Sequence, residues 1–346
     1  MIDLRSDTIT QPTTAMKQVM FEAPVGDDVF GEDPTINSLE EKAAEYFGME
    51  AAIFCPSGTM TNQIAIRVHT DPHTEVICDE KSHIYLYEGG GIAYNSFASV
   101  RLLHGDRGRI TAEMVKDNIN NPDDVHAPIS RLVSLENTMN KGGGCVYDFK
   151  EIEKIGQLCK DENLKLHLDG ARLFNALVAS GDDPKKYGKT FDTISICLSK
   201  GLGCPVGSLL VGDKDSIKMA RRIRKVMGGG MRQAGILAAA GIYALDHHIE
   251  RLTEDHNRAK TIAENLKDLA FVESILPVET NIVIFRLSNN QLATDFVEKL
   301  KNHGILAVPF GKHDVRFVTH LDFSDDMLDE LIKKIKTDIN DPFRKN

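Results

Sequence analysis

The chain has 346 residues, 42% of them apolar and 27% charged, enough for one large and one smaller domain with substantial cores. Its formal net charge is −10 and its basic residues are dispersed, which excludes the electrostatic footprint of a nucleic-acid binder. Charges begin at the third residue of Met1-Ile-Asp-Leu-Arg-Ser-Asp, and the longest plainly apolar helix, Ile236 to Leu245, is too short to span a bilayer, so a soluble, cytoplasmic protein with no membrane partner is expected.

From the N-terminus to about Asp33 the chain is rich in Asp, Thr, Pro and Gly, and this arm is expected to wrap over a core or a partner. Thr35 to Phe47 reads as an amphipathic helix after Asp-Pro, Ala51 to Phe54 as a strand, and Thr61 to His69 as a helix. Glu75 to Cys78, Ser130 to Leu135 and Leu164 to Asp169 read as strands, and a helix follows from Ala171. Such alternation implies a mostly parallel sheet with helices on both faces. Thr193 to Leu198 and Val206 to Val211 are joined too tightly for a crossover helix, so one of that pair runs antiparallel. Ala234 to Leu269 reads as one long helical stretch crossing to a C-terminal unit. There Asn281 to Leu287, Thr294 to His303, Val315 to Val318 and Met327 to Ile339 alternate as strand, helix, strand and helix. The expected division is a large α/β domain, residues 1–250, and a small α+β domain, residues 251–346. The six cysteines are scattered without a C-x-x-C pair, which argues against a zinc site and a disulfide framework; no metal site is expected. Gly201-x-Gly203-x-x-x-Gly207 fails as a dinucleotide motif because Pro205 and a strand follow it.

Three local features carry chemistry. Lys200 sits at the mouth of the connection between two apolar strands, where desolvation disfavours the ammonium form. An amine with a depressed pKa is what Schiff-base formation with a carbonyl cofactor such as pyridoxal phosphate requires, although a lysine snorkelling from a strand end fits the same segment. Asp169 ends the alternating strand Leu164-Lys-Leu-His-Leu-Asp, at the edge where open α/β sheets bind ligands. A carboxylate there pairs with a protonated pyridine nitrogen, or simply caps the following helix. Pro56-Ser-Gly-Thr59 reads as a turn into a helix N-terminus, where backbone N–H groups, hydroxyls and the helix dipole suit a phosphate and Gly58 admits it closely.

Phosphate turn, ring-pairing aspartate and amine lysine, in that order, resemble the fold-type I pyridoxal-phosphate enzymes. Local strings narrow the resemblance to the low-specificity L-threonine aldolases: Met1-Ile-Asp-Leu-Arg-Ser-Asp-Thr8, Val25-Gly-Asp-Asp-Val-Phe-Gly-Glu-Asp-Pro-Thr35, His167-Leu-Asp-Gly-Ala-Arg-Leu-Phe-Asn175, Leu198-Ser-Lys-Gly201, Gly228-Gly-Gly-Met-Arg-Gln233 and Val315-Arg-Phe-Val-Thr-His320. The likeness covers nearly the whole chain. It implies a large domain with a mostly parallel seven-stranded sheet, pyridoxal 5'-phosphate as cofactor, and retro-aldol cleavage of L-threonine and L-allo-threonine to glycine and acetaldehyde. β-Elimination or transamination of a small amino acid on the same scaffold is the alternative.

Residue by residue, the resemblance assigns the cofactor to Lys200, Asp169, Arg172, Gly58, Thr59 and His83, with Lys225 and Arg232 near the phosphate. It assigns the substrate carboxylate to Arg172 and Arg316 with Ser6 nearby, and the base to His83 or His126. From the residues alone, Arg316 in an apolar strand already asks for an anion, His83 could be a hydrogen-bonded loop histidine and His126 a surface one, and Arg221-Arg-Ile-Arg-Lys225 could be a solvated helix face. The family also implies a homodimeric catalytic unit, paired into a homotetramer, with Arg232 or Lys225 reaching across the interface. Two positions depart from the family strings: Phe30 where Tyr is common, and Met139 where His is frequent.

Overall fold

The computed structural model describes residues 1–339; the end of the expected 251–346 unit, residues 340–346, lies outside the described residues. The apolar runs become strands β1 (Ile2–Asp3), β2 (Ala51–Cys55), β3 (Thr74–Asp79), β4 (Ser99–Leu103), β5 (Ile129–Glu136), β6 (Lys165–Gly170), β7 (Thr193–Cys197) and β8 (Ser208–Gly212). The C-terminal unit adds β9 (Val272–Ile275), β10 (Ile282–Leu287), β11 (Ile305–Leu306), β12 (Val308–Pro309) and β13 (Asp314–Val318).

Seven strands form the main sheet in the order β2-β8-β7-β6-β5-β3-β4, all parallel except β8, which runs antiparallel to β2 and β7. Every residue of β3, β7 and β8 is buried, as helices on both faces of a parallel sheet require, and this is why these strands read as continuous apolar runs. Gly207 makes the short β7–β8 return possible. Its φ is +116°, and a Cβ there would lie 2.5 Å from the Phe54 ring. Local signals place the helices well: Asp33 caps Pro34–Phe47 by accepting from Thr35 N and Ile36 N at 3.1 and 3.0 Å, and Gly48 closes it in the left-handed conformation.

The second unit is the antiparallel sheet β12-β13-β10-β9, packed with helices Ala293–Asn302 and Asp325–Lys334 around Phe285, Phe296, Phe317 and Phe323. The N-terminal arm joins this core: β1 pairs with β11, and Ile2 and Leu4 are buried in it. The expected single stretch from Ala234 to Leu269 is two helices, Gly235–His247 and Leu252–Leu266. Leu245 and Leu252 belong to the large core, whereas Ala259, Ile262 and Leu266 belong to the small one, so one straight apolar stripe cannot serve both. No helix of the described residues is long and apolar enough to cross a membrane. All six cysteines are buried and unpaired.

Candidate active site

The C-terminal ends of β5 and β6 lie side by side, with Glu136 opposite Asp169 in the register. Asp169 is buried; its Oδ1 accepts from Ala171 N at 3.1 Å and its Oδ2 from the Asn62 amide at 2.9 Å. It does not cap the following helix: that helix runs Leu173–Ser180, and its N-cap position is Arg172. Behind Asn62 stands a buried relay. His167 Nε2 lies 3.1 Å from Asn62 Oδ1, and Thr193 Oγ1 lies within 3.0 Å of both His167 Nδ1 and His69 Nε2. Burial pushes the His167 imidazole down to about 4, so it stays neutral and fixes the Asn62 amide, whose N–H groups face the carboxylates.

The same Asn62 amide donates to Glu88 Oε1 at 2.9 Å, and Gln63 donates to Glu88 Oε2 at 2.6 Å. Glu88 Oε1 in turn lies 2.9 Å from His83 Nδ1. Burial opposes charge on His83, but the Glu88 hydrogen bond and the charges of Asp169, Glu88 and Glu136 outweigh it and raise the imidazole. His83 is therefore oriented through Nδ1, and its ring is half-buried on the short helical turn His83–Leu86.

Lys200 lies in the turn between β7 and β8, whose backbone is closed by Gly203 N donating to Lys200 O at 2.8 Å. The expected depressed amine is overturned. Burial does work against the ammonium and Arg172 repels it, yet Cys197, Asp7 and Asp169 together hold it above its ordinary value. Cys197 ends the same strand, but Asp7 and Asp169 arrive from two other stretches of sequence, which burial of one strand end could not show.

Arg172 meets a carboxylate, but it is the chain's own. Asp7 of the arm takes Arg172 Nε at 2.8 Å and Nη2 at 2.6 Å, both side chains are buried, and Asn281 Nδ2 donates to Asp7 Oδ2 at 3.2 Å. Arg172 and Lys200 hold Asp7 down at about 2 against its burial. This sets a pH prediction. Because the folded value lies below the ordinary 3.8, the pair's stabilisation is present above pH 4 and is lost as pH falls toward 2. Acid unfolding should show wild type losing about 2 kcal/mol more than Asp7→Asn across that window, and equal losses would refute it.

Arg316 on β13 faces the same region. Its Nη1 donates to Asn140 Oδ1 at 2.9 Å, its Nη2 to Arg5 O at 3.0 Å, and its Cζ lies 4.8 Å from the Phe310 ring centroid. Its Nε is buried without a partner, and burial with the charge of nearby Arg172 lowers the guanidinium to about 10. A buried guanidinium lowered by a like charge beside it makes a place for an anion. Ser6 beside them caps a short turn, its Oγ accepting from Thr8 N at 3.2 Å.

At the phosphate turn, helix Gly58–His69 begins directly on the motif, with Ser57 capping by accepting from Met60 N at 3.2 Å. Gly58 and Thr59 N–H groups thus lie in the first turn, where no intrahelical acceptor exists. Ser208 Oγ of β8 is buried without a partner, and a Cβ on Gly58 would sit 3.5 Å from it. An orphaned hydroxyl beside a helix N-terminus fits a phosphate oxygen.

The single chain does not bring every expected residue here. Lys225 and Arg232 are exposed, and Arg232 pairs with Asp27 at 2.9 Å. His126 is exposed, lies 3.0 Å from Asp124, and precedes β5, whose eight residues at roughly 3.3 Å each put it on the order of 25 Å from the Glu136 edge. Phe30 is also exposed, and Met139 is buried with its methyl beneath Gly108. Sequence reasoning missed Asp7, Asn62, Glu88, Glu136, Asn140 and Arg224. Buried Arg224 donates to Phe54 O and to Asp28, each at 2.7 Å, and so braces the strand that feeds the phosphate turn. The signal for Glu136 was available: like Asp169, it is a carboxylate ending an apolar strand.

Residues 3–290 match the family described as beta-eliminating lyase. The low specificity L-threonine aldolase of Escherichia coli K12 is 46% identical over 333 residues, covering 96% of this chain and 97% of that one. The probable low-specificity L-threonine aldolase 2 of Arabidopsis thaliana is 42% identical over 330 residues, 94% of this chain and 93% of its own. Among solved structures, a threonine aldolase of Leishmania major superposes with a TM-score of 0.84 over 97% of this chain and 99% of that one; at 21% identity this speaks for the fold.

Proposed function

The chain belongs to the beta-eliminating lyase family, and from that premise we propose that it is a pyridoxal 5'-phosphate-dependent aldehyde-lyase. Its substrates are L-threonine and L-allo-threonine, which it cleaves to glycine and acetaldehyde. The observation that carries this reading is the convergence of Asp169, His83, Lys200, Arg172 and Arg316 on one edge of the sheet, in a chain 46% identical to a threonine aldolase. The residues present fit the cofactor: Lys200 would hold it covalently, Asp169 would face its pyridine nitrogen, His83 its ring, and Gly58, Thr59 and Ser208 its phosphate. Bound there, the ring supplies a sink for the electron pair of the broken bond.

The protein's own groups then do the following. Arg316, with Arg172 fixed by Asp7, would receive the substrate carboxylate and so select which Cα bond is presented for cleavage. A base takes the β-hydroxyl proton, the Cα–Cβ bond breaks, the aldehyde departs, and a proton returns to Cα to give glycine. His83, oriented by Glu88, is the candidate base within the subunit, whereas His126 can serve only a neighbouring subunit's site. Product analysis with L-threonine tests the reading. Glycine and acetaldehyde in equal amounts support it, whereas ammonia and 2-oxobutanoate would indicate the β-elimination named by the family.

The reading includes a cytoplasmic location, the division into residues 1–250 and 251–346, and a homodimeric catalytic unit paired into a homotetramer. Separate apolar cores support two units, although Ile2 and Leu4 of the arm lie in the small core and Leu252 in the large one. Exposed Tyr94, Phe97, Met219 and Val226 along one groove, and outward-facing Phe21 and Phe30, support association with a second copy. Lys225, Arg232 and His126 would then act in trans. Mixing Lys200→Ala with either Arg232→Ala or His126→Ala should restore partial activity in hybrid oligomers, to at most about one quarter of wild type if subunits mix randomly in dimers. Proven hybrids without activity would place Arg232 in its own subunit's site and would remove His126 from the reaction.

A further inference from the structure

Glu136 is buried at the end of β5, and no ion pair is within 4.0 Å of it among the described residues. Each carboxylate oxygen instead accepts one backbone N–H: Oε2 from His83 N at 2.7 Å and Oε1 from Asn140 N at 2.9 Å. Asn140 then accepts from Arg316 Nη1 at 2.9 Å. These contacts join three stretches far apart in sequence: the helical turn that carries His83, the loop after β5, and β13 of the small sheet. Leaving a carboxylate in a buried place is costly, so a neutral side chain would be preferred unless two acceptors are needed at once. A glutamine cannot substitute, because one of its ends is an acceptor and the other a donor, and here both partners are N–H groups.

We propose that Glu136 is a positioning residue that locks the His83 turn and the Arg316 fork into one unit, so that the wall of the site and its carboxylate arm are placed together. The proposal deepens the aldolase reading and rests on it for its activity assays. The titratable and charged groups facing Glu136 are Asp169 from β6, His83 from its turn, Arg172 ahead of the 173–180 helix and Cys78 from β3. Burial and the Asp169 charge push the Glu136 carboxyl up, while the two N–H groups and His83 pull it down, so the two segments it grips also decide its charge.

The test uses Glu136→Gln, Asn140→Ala and the double variant. Each single variant should raise the L-threonine KM, and weaken glycine binding read from the cofactor's visible absorption, by about tenfold, with a smaller change in kcat. The double variant should lose no more than the worse single one, because the two changes interrupt one chain of contacts from His83 through Glu136 and Asn140 to Arg316. In cofactor-free protein, the His83 imidazole resonances should shift in Asn140→Ala, although the Asn140 side chain is hydrogen-bonded to Arg316 and not to His83. This arm stands even if Glu136→Gln does not fold or the wild type fails to cleave threonine, which would sink the aldolase reading alone. Unchanged His83 resonances in Asn140→Ala overturn the proposal, as do unchanged glycine affinity in the single variants or a double-variant loss equal to the product of the two singles.

Discussion

Lys200→Ala is expected to reduce threonine cleavage by at least about 10³-fold, equivalent to roughly 4 kcal/mol of transition-state stabilisation. The β7–β8 turn offers one amine at the end of the sheet where Asp169 stands, and among the described residues no other lysine shares its surroundings of Cys197, Asp7 and Asp169. The fold should survive, because the turn is closed by backbone bonds from Gly203 and Cys204 rather than by the lysine side chain. Borohydride reduction of wild type, followed by digestion and mass spectrometry, should place the cofactor's mass on the peptide that carries Lys200. Near-native activity in the dialysed alanine variant would return Lys200 to a snorkelling strand-end residue.

Asp169→Asn is expected to cost about 10² to 10⁴-fold in kcat: asparagine keeps the shape and one acceptor for Ala171 N, but its amide N–H replaces the oxygen that accepts from Asn62 at 2.9 Å. What it loses is the charge that holds a proton on a pyridine nitrogen. A second signature follows from the electrostatics. Asp169 helps to raise both His83 and Lys200, so removing it should move the acidic limb of the kcat profile to lower pH. A normal rate with an unmoved profile would leave Asp169 as a structural partner of Asn62 alone.

Where the local pattern agrees with the global fold, single elements were legible: the period-2 run ending in Asp169, the Asp-Pro cap at residue 33, and the tight return that forces β8 antiparallel. The short strands β1, β11 and β12 were not, because two residues hold no period, and β1 and β11 gain their pairing from partners hundreds of positions away. The break between His247 and Leu252 was equally invisible, since each half has good helical sequence and the bend answers to two cores.

By itself the sequence determined the chemistry on offer. A lone lysine between apolar strands, a strand-ending aspartate, a small-residue turn into a helix and an arginine in an apolar strand are local facts, and local backbone preference with burial is sufficient to place each. Only the tertiary structure decided their state. Lys200 is raised rather than depressed, Arg172 is already paired with Asp7, Asp169 is held through Asn62 and His167, and His126 lies at the wrong end of β5 to serve its own subunit. Charge state and hydrogen-bond partner depend on what comes within a few ångströms, and in this fold those neighbours arrive from the arm, the sheet and the small unit at once.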